Sequence, residues 1–148
     1  MANNCTVLFL DGDRQLNFIN RCAFEIFNYT VHTATTLGEA YRLIAECPPD
    51  VIIMEVELPD GDGFMFCEEI RNMIPAEILF LTARTEKESL LRGLSLGSDY
   101  ITKPHCQPEL MARVEATMRW TTRRMPYRDG NAVSLTAGNN STGKFISK

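Results

Sequence analysis

Short unbroken apolar runs alternate along the chain with segments whose apolar residues recur every three or four positions. Thr6–Leu10 reads as a buried strand running into Asp11-Gly12-Asp13. From Arg14 to Phe27 the residues Leu16, Ile19, Ala23 and Ile26 repeat at the helical period, which predicts a helix with that stripe turned inward. Tyr29–Ala34, β-branched and aromatic, predicts a second strand. Thr36-x-x-Glu39 is a capping box in which the Thr hydroxyl takes the amide of Glu39 and the Glu carboxylate the amide of Thr36; the helix it opens runs to Pro48-Pro49.

The second half repeats the pattern. Val51–Val56 predicts a third strand ending in the carboxylates Glu55 and Glu57, and Pro59-Asp60-Gly61-Asp62-Gly63 is turn chemistry. A calcium loop fails there because its sixth-position Gly and later Glu are misplaced. Phe64–Met73 predicts a helix, Ile78–Leu81 a strand, Thr85-x-x-Glu88 the cap of a helix ending near Gly97, and Tyr100–Thr102 a last strand before Lys103-Pro104. Gln107–Arg124 predicts a final helix burying Leu110, Val114 and Met118. Five β-α units predict an α/β fold, a five-stranded parallel sheet with helices on both faces. Beyond Arg124 the chain turns Gly-, Asn- and Ser-rich, a linker, tail or hairpin in which Val133 and Leu135 are the only hint of a strand.

Composition narrows the classes. Of 148 residues, 45% are hydrophobic, enough for a core, and no apolar run approaches a membrane span. No secretory signal opens the chain. The five cysteines are odd in number, scattered and without a Cys-x-x-Cys pair, which speaks against a disulfide framework or zinc ribbon and for reduced thiols in the cytoplasm. Residues 1–112 carry 8 basic and 17 acidic groups, residues 113–148 carry 7 and 2. So acidic a body is a poor binder of phosphate backbones. The basic end, with Arg119, Arg123 and Arg124, reads either as a solvated face with a polar tail or as the lead-in to a separate nucleic-acid-binding module. No recognition helix is present in this chain, so DNA binding is expected only through an effector domain elsewhere.

In open parallel sheets, sites lie beyond the carboxyl ends of the strands. Asp11 and Asp13 follow the first strand, Glu55 closes the third, Thr82 closes the fourth and Lys103 follows the fifth. Each alone has an ordinary explanation as a solvated acid, a cap or a snorkelling lysine. Together they offer carboxylates, a hydroxyl and an ammonium on one rim, a set suited to Mg²⁺ and phosphoryl oxygens.

The runs Val7–Asp11, Glu55–Phe64, Leu81-Thr82-Ala83-Arg84 and Gly97–Pro104 resemble the receiver domain of two-component response regulators, over roughly residues 5–123, leaving 124–148 as linker, tail or the start of an effector domain. The resemblance implies the flavodoxin-like strand order 2-1-3-4-5, for which the family itself serves as an example. It also implies a phosphoacceptor at position 55, a metal-holding acid pair at Asp11-Gly12, phosphoryl contacts from Thr82 and Lys103, a switching aromatic at Tyr100 and a cis Lys103–Pro104 bond. A sensor histidine kinase would be the partner. The family's winged-helix branch dimerises through the fourth helix, fifth strand and fifth helix, and Asp99 and Arg113 sit where its intermolecular ion pairs are found.

Two positions depart from that pattern. The acceptor position holds Glu55 rather than Asp, longer by about 1.5 Å, and misplacement on the order of 1 Å costs about a hundredfold where alignment governs rate. Gly12 supplies no ligand oxygen, so the remaining Mg²⁺ candidates are Asp11 and Glu55, with Asp13 a neighbouring acid; no cofactor is expected. The reading is a pseudo-receiver in a fixed, active-like state, Glu55 reaching Lys103 and Thr82 much as a phosphoryl group would. Its rival is a resting Glu55–Lys103 salt bridge in an inactive scaffold. Two further classes are a haloacid-dehalogenase-type phosphotransferase using Asp11 and Asp13, which lacks the later acidic pair and a cap domain, and a plain adaptor in which the rim residues are incidental.

Overall fold

The computed structural model describes residues 4–124, with side chains as far as Arg119. Residues 125–148, with the linker, tail or hairpin expected there and the strand hinted at by Val133 and Leu135, lie outside the described residues. Twelve elements alternate: β1 (Thr6–Leu10), α1 (Arg14–Glu25), β2 (Thr30–Ala34), α2 (Leu37–Glu46), β3 (Val51–Met54), β4 (Glu57–Leu58), β5 (Gly61–Asp62), α3 (Gly63–Ile70), β6 (Glu77–Thr82), α4 (Lys87–Leu96), β7 (Asp99–Thr102) and α5 (Gln107–Arg124). The chain divides into two compact units, Met1–Val114, which holds the sheet, and Glu115–Lys148, whose described part is the helical run 115–124 of α5.

Five strands form one parallel sheet in the order β2-β1-β3-β6-β7. Counted without the small β4–β5 hairpin, this is the expected order 2-1-3-4-5. The unbroken apolar runs are the central strands, buried on both faces as parallel sheets require: Val7, Leu10, Val51, Ile52, Met54, Leu79 and Phe80 are all fully buried. Alternate residues serve opposite faces. Leu8, Leu10, Ile52, Met54, Ile78, Phe80 and Tyr100 share one cluster with Ala40 and Ile44 of α2 and with Phe64, Phe66 and Ile70 of α3. On the other face Phe9 meets Phe24 of α1 edge-on at 5.2 Å, and Leu110 and Val114 of α5 are fully buried.

Several boundaries differ from expectation. The third strand ends at Met54, because Pro59–Gly63 closes as an antiparallel hairpin that pairs Glu57 with Asp62. Asp60 in that turn accepts the amides of Leu37 and Gly38, fastening the hairpin to the start of α2. Thr36 caps α2 through the amide of Glu39 as expected, but Glu39 reaches back to the amide and hydroxyl of Thr35 rather than to Thr36. Thr85 does not cap α4. That helix starts one residue later, with Glu86 at the cap position and no side-chain cap bond, while Ser89 donates its hydroxyl to Glu86.

The largest correction concerns α1. The helix is where the spacing put it, but it buries Asn17, Asn20 and Phe24 and leaves Ile19 and Ile26 exposed. The reason is hydrogen bonding. Asn17 donates to the carbonyls of Asp11 and Ala34, and the side-chain oxygen of Asn20 accepts from Gln107 at the start of α5 and bonds His105 in the β7–α5 loop. Asn17 thereby pairs two carbonyls at the strand ends, so Asn17 and Asn20 share the interior with Phe24 while Ile19 and Ile26 stay outside.

This assignment predicts opposite costs for two neighbouring residues. Phe24→Ala should lower the unfolding free energy in urea by about 3–5 kcal/mol, whereas Ile26→Ala, at an exposed position, should change it by about 0.5 kcal/mol or less. The reverse ranking would show that the inward face of α1 is wrongly assigned.

Candidate functional site

Parallel strands all deliver their carboxyl ends to one rim, and the backbone ladder pins the next residue there. Beyond β1, the amide of Asp11 bonds the Ala34 carbonyl at 3.0 Å; beyond β3, the amide of Glu55 bonds Leu10 at 2.9 Å; beyond β7, the amide of Lys103 bonds Thr82 at 2.8 Å. Three charged side chains therefore converge with little backbone freedom. Lys103 sits on a cis bond to Pro104, as the resemblance implied.

The Lys103 ammonium lies between two carboxylates, with Nζ 2.7 Å from Asp11 Oδ2 and 2.9 Å from Glu55 Oε1. The side chains are only 21%, 11% and 12% exposed, respectively, so water screens the pairs poorly. The second oxygen of Glu55 accepts the amide of Val56 at 2.7 Å, and the fully buried Thr82 stands beside the same carboxylate. Burial pushes the Glu55 carboxyl up, but the bonds from Thr82 and Lys103, the Lys103 charge and the Val56 amide together hold it below its ordinary 4.5. For Lys103, burial works against the charge, and the bonds to Asp11 and Glu55 outweigh it and raise its pKa above 10.5.

From Thr82 a line of bonds leads away from the rim. The Thr82 hydroxyl accepts the amide of Arg84 at 3.2 Å, and the Arg84 carbonyl accepts the Tyr100 hydroxyl at 3.0 Å. Tyr100 is 7% exposed, its ring packed on the backbone of Gly93; a Cβ there would lie 2.3 Å from the ring. Glycine at position 93 thus makes room for the aromatic. The Arg84 side chain pairs with Glu57 at 2.8 Å.

The remaining expected residues fall elsewhere. Asp13 is the N-cap of α1, accepting the amide of Leu16 at 3.0 Å, and its own amide bonds Asp11. Gly12 faces Pro59, whose Cδ would be 3.3 Å from a Cβ at that position. Asp99 and Arg113, expected to reach across a dimer interface, pair with each other within one chain at 2.8 Å, and Arg113 also holds Glu109. Sequence reasoning missed Arg84, whose role is played by its main chain, and Asn17, whose amide steadies the Asp11 carbonyl. Asn17 does carry a signal: it is an uncharged polar residue a turn beyond the Asp11–Asp13 loop.

A family model described as the response regulator receiver domain matches residues 7–115. The transcriptional regulatory protein KdpE of Mycobacterium tuberculosis is 36% identical over 117 residues, 78% of this chain and 52% of that protein. The transcriptional regulatory protein SpaR of Bacillus subtilis is 49% identical over 94 residues, 59% of this chain and 42% of that protein. The chain thus spans about half the length of the curated relatives it matches. Among solved structures, a two-component response regulator from Clostridium difficile has a TM-score of 0.76 at 31% identity, covering 84% of this chain and all of that one. The Francisella response regulator 1452 receiver domain has a TM-score of 0.74 at 30% identity, over 80% of this chain and 99% of that one. The phosphotransferase alternative receives no support from these matches.

The site geometry fixes a pH signature. A carboxyl held below its ordinary value contributes stability that is fully present above pH 4.5 and is lost as pH falls through the lowered value. The stability difference between the native chain and Glu55→Gln, measured in urea, should therefore be constant near neutrality and shrink as pH falls below 4.5. A difference independent of pH down to about 3 would contradict the pairing.

Proposed function

Since the chain belongs to the response regulator receiver family, we propose that it is a pseudo-receiver: a signalling module whose partner recognition does not depend on phosphorylation. Glu55 stands at the phosphoacceptor position and is itself the charge to which Lys103 and Thr82 respond. The observation that carries this is the closed set of contacts around that carboxylate. Lys103, one of the two groups the family aims at a phosphoryl group, bonds Glu55 instead, and the fully buried Thr82, the other, stands beside that carboxylate and helps hold its pKa down.

The residues at the rim do not fit a magnesium site. The two acids left to hold a cation, Asp11 and Glu55, share the Lys103 ammonium between them, and Gly12 contributes no oxygen. A carboxylate restored at position 12 would also start against Pro59. No metal-dependent phosphoryl step is therefore assigned to this chain. A carboxylate carries less charge and fewer acceptor oxygens than a phosphoryl group, so Glu55 holds the site in one state rather than reproducing a transient signal.

In the fixed, active-like reading, Glu55 acts on the adjacent Thr82, and the bonds from Thr82 through Arg84 to Tyr100 hold the aromatic against Gly93 and set the surface of α4, β7 and α5. That surface then regulates a DNA-binding output, by dimerisation or by binding a signalling protein such as a sensor kinase, in the cytoplasm. The relatives named as transcriptional regulators support a gene-regulatory context, and among the described residues no helix is long and apolar enough to cross a membrane. The rival reading, an inactive scaffold with a resting salt bridge, shares the Glu55–Lys103 contact and differs in what Glu55→Gln does to partner binding or self-association. Fixed-state control predicts a change with Glu55→Gln; a scaffold predicts none.

The direct test is intact-mass spectrometry after incubation with acetyl phosphate and Mg²⁺. No stoichiometric gain of a phosphoryl group is expected on the native chain. A phosphorylated fraction approaching one per chain, mapped to Glu55, would overturn the proposal.

A further inference from the structure

Beside the edge strand β2 lies a cavity of about 270 Å³ that the rim does not use. Arg14, Asn17, Phe18 and Arg21 line it from α1, at the i, i+3, i+4, i+7 spacing that puts them on one side of the helix. Thr35, just past β2, and Glu39, in the first turn of α2, line it as well.

Two opposite charges border this cavity without closing on each other. Bonds from the amide and hydroxyl of Thr35 hold the Glu39 carboxyl below its ordinary value, with the Arg14 charge adding to them and burial opposing. Yet Arg14 makes no ion pair among the described residues. Both Thr35 bonds go to Glu39 Oε1, which leaves Oε2 for another donor. Arg21 gives its Nε to Glu25 and keeps its terminal N–H groups. Asn17, only 4% exposed, donates its amide to the Asp11 and Ala34 carbonyls, and its buried side-chain oxygen has no partner among the described residues. A buried acceptor is normally paired.

From this we propose that the cavity binds a free α-amino acid with an apolar side chain. The ligand's carboxylate takes Arg14 and the terminal groups of Arg21, its ammonium takes Glu39 Oε2 and the Asn17 oxygen, and its side chain lies against Phe18. A simple anion would leave Glu39 and Asn17 unanswered and be repelled by the Glu39 charge; a simple cation would leave both arginines unanswered. A zwitterion meets every one of these groups with a partner of the right sign. The volume falls below the roughly 300–1,000 Å³ of pockets for drug-sized ligands, which selects a compact occupant. The site is separate from the carboxyl rim and independent of how Glu55 is read, although Asn17 also holds the Asp11 carbonyl.

Amide NMR of the full chain titrated with L-leucine tests this. Saturable shifts are expected at Arg14, Phe18, Thr35 and Glu39, with a Kd on the order of 1 mM or below. Isocaproate and isoamylamine, which are leucine without its ammonium and without its carboxylate, should each bind at least about tenfold more weakly. Arg14→Gln and Glu39→Gln should each weaken leucine binding by a similar factor with unchanged far-UV circular dichroism. Absence of saturation at about ten times the expected Kd, equal binding of either half-molecule, or binding indifferent to either substitution would each overturn the proposal.

Discussion

One ammonium between two carboxylates organises the carboxyl rim of this sheet. Asp11, Glu55 and Lys103 come from three strands that meet only through the fold, and each is pinned one residue past its strand by a continuing ladder bond. Two acids converging in poorly screened space repel one another and resist ionisation. Lys103 bridges the two carboxylates. Removing one member of such a set leaves an uncompensated charge in the remainder, which costs more than the contact alone contributes. The rim is therefore a mutually dependent unit rather than three separate contacts.

That unit connects to the rest of the molecule by specific bonds. Thr82 touches both Glu55 and the amide of Arg84, and Arg84 passes the connection to the Tyr100 hydroxyl through its carbonyl. Tyr100 can occupy its position only because Gly93 offers a bare backbone to its ring. Under the proposed reading, a change in charge at residue 55 reaches α4 and β7 through Thr82 and these bonds. Such a path carries influence only if its elements have two arrangements that the site biases, which is the property that separates fixed-state control from a passive scaffold.

The fold was largely legible in the amino-acid order because its dominant signals are local. The runs Val7–Leu10 and Val51–Met54 are fully apolar as only strands covered on both faces are, and the five-unit alternation leaves few topologies. The site was legible for a related reason: a polar residue placed at the end of a buried run must lie on the rim. What the order hid was decided by partners far apart along the chain. The apolar stripe of α1 looked like its inward face, yet Asn17 and Asn20 occupy the interior because the carbonyls of Asp11 and Ala34 and the side chains of His105 and Gln107 need them. Thr85 matched a cap pattern, yet α4 begins at Lys87 without it. The pairing of Asp99 with Arg113 joins β7 to α5 and has no signature in either segment alone.

The central claim is that the carboxylate of Glu55, through Thr82, sets the state of Tyr100. Amide and side-chain NMR shifts of the native chain and Glu55→Gln test it most directly. The account predicts perturbations running from Thr82 through Arg84 to Tyr100 and Gly93. Perturbations confined to Glu55, Val56 and the Lys103 side chain, with Arg84 and Tyr100 unmoved, would contradict it.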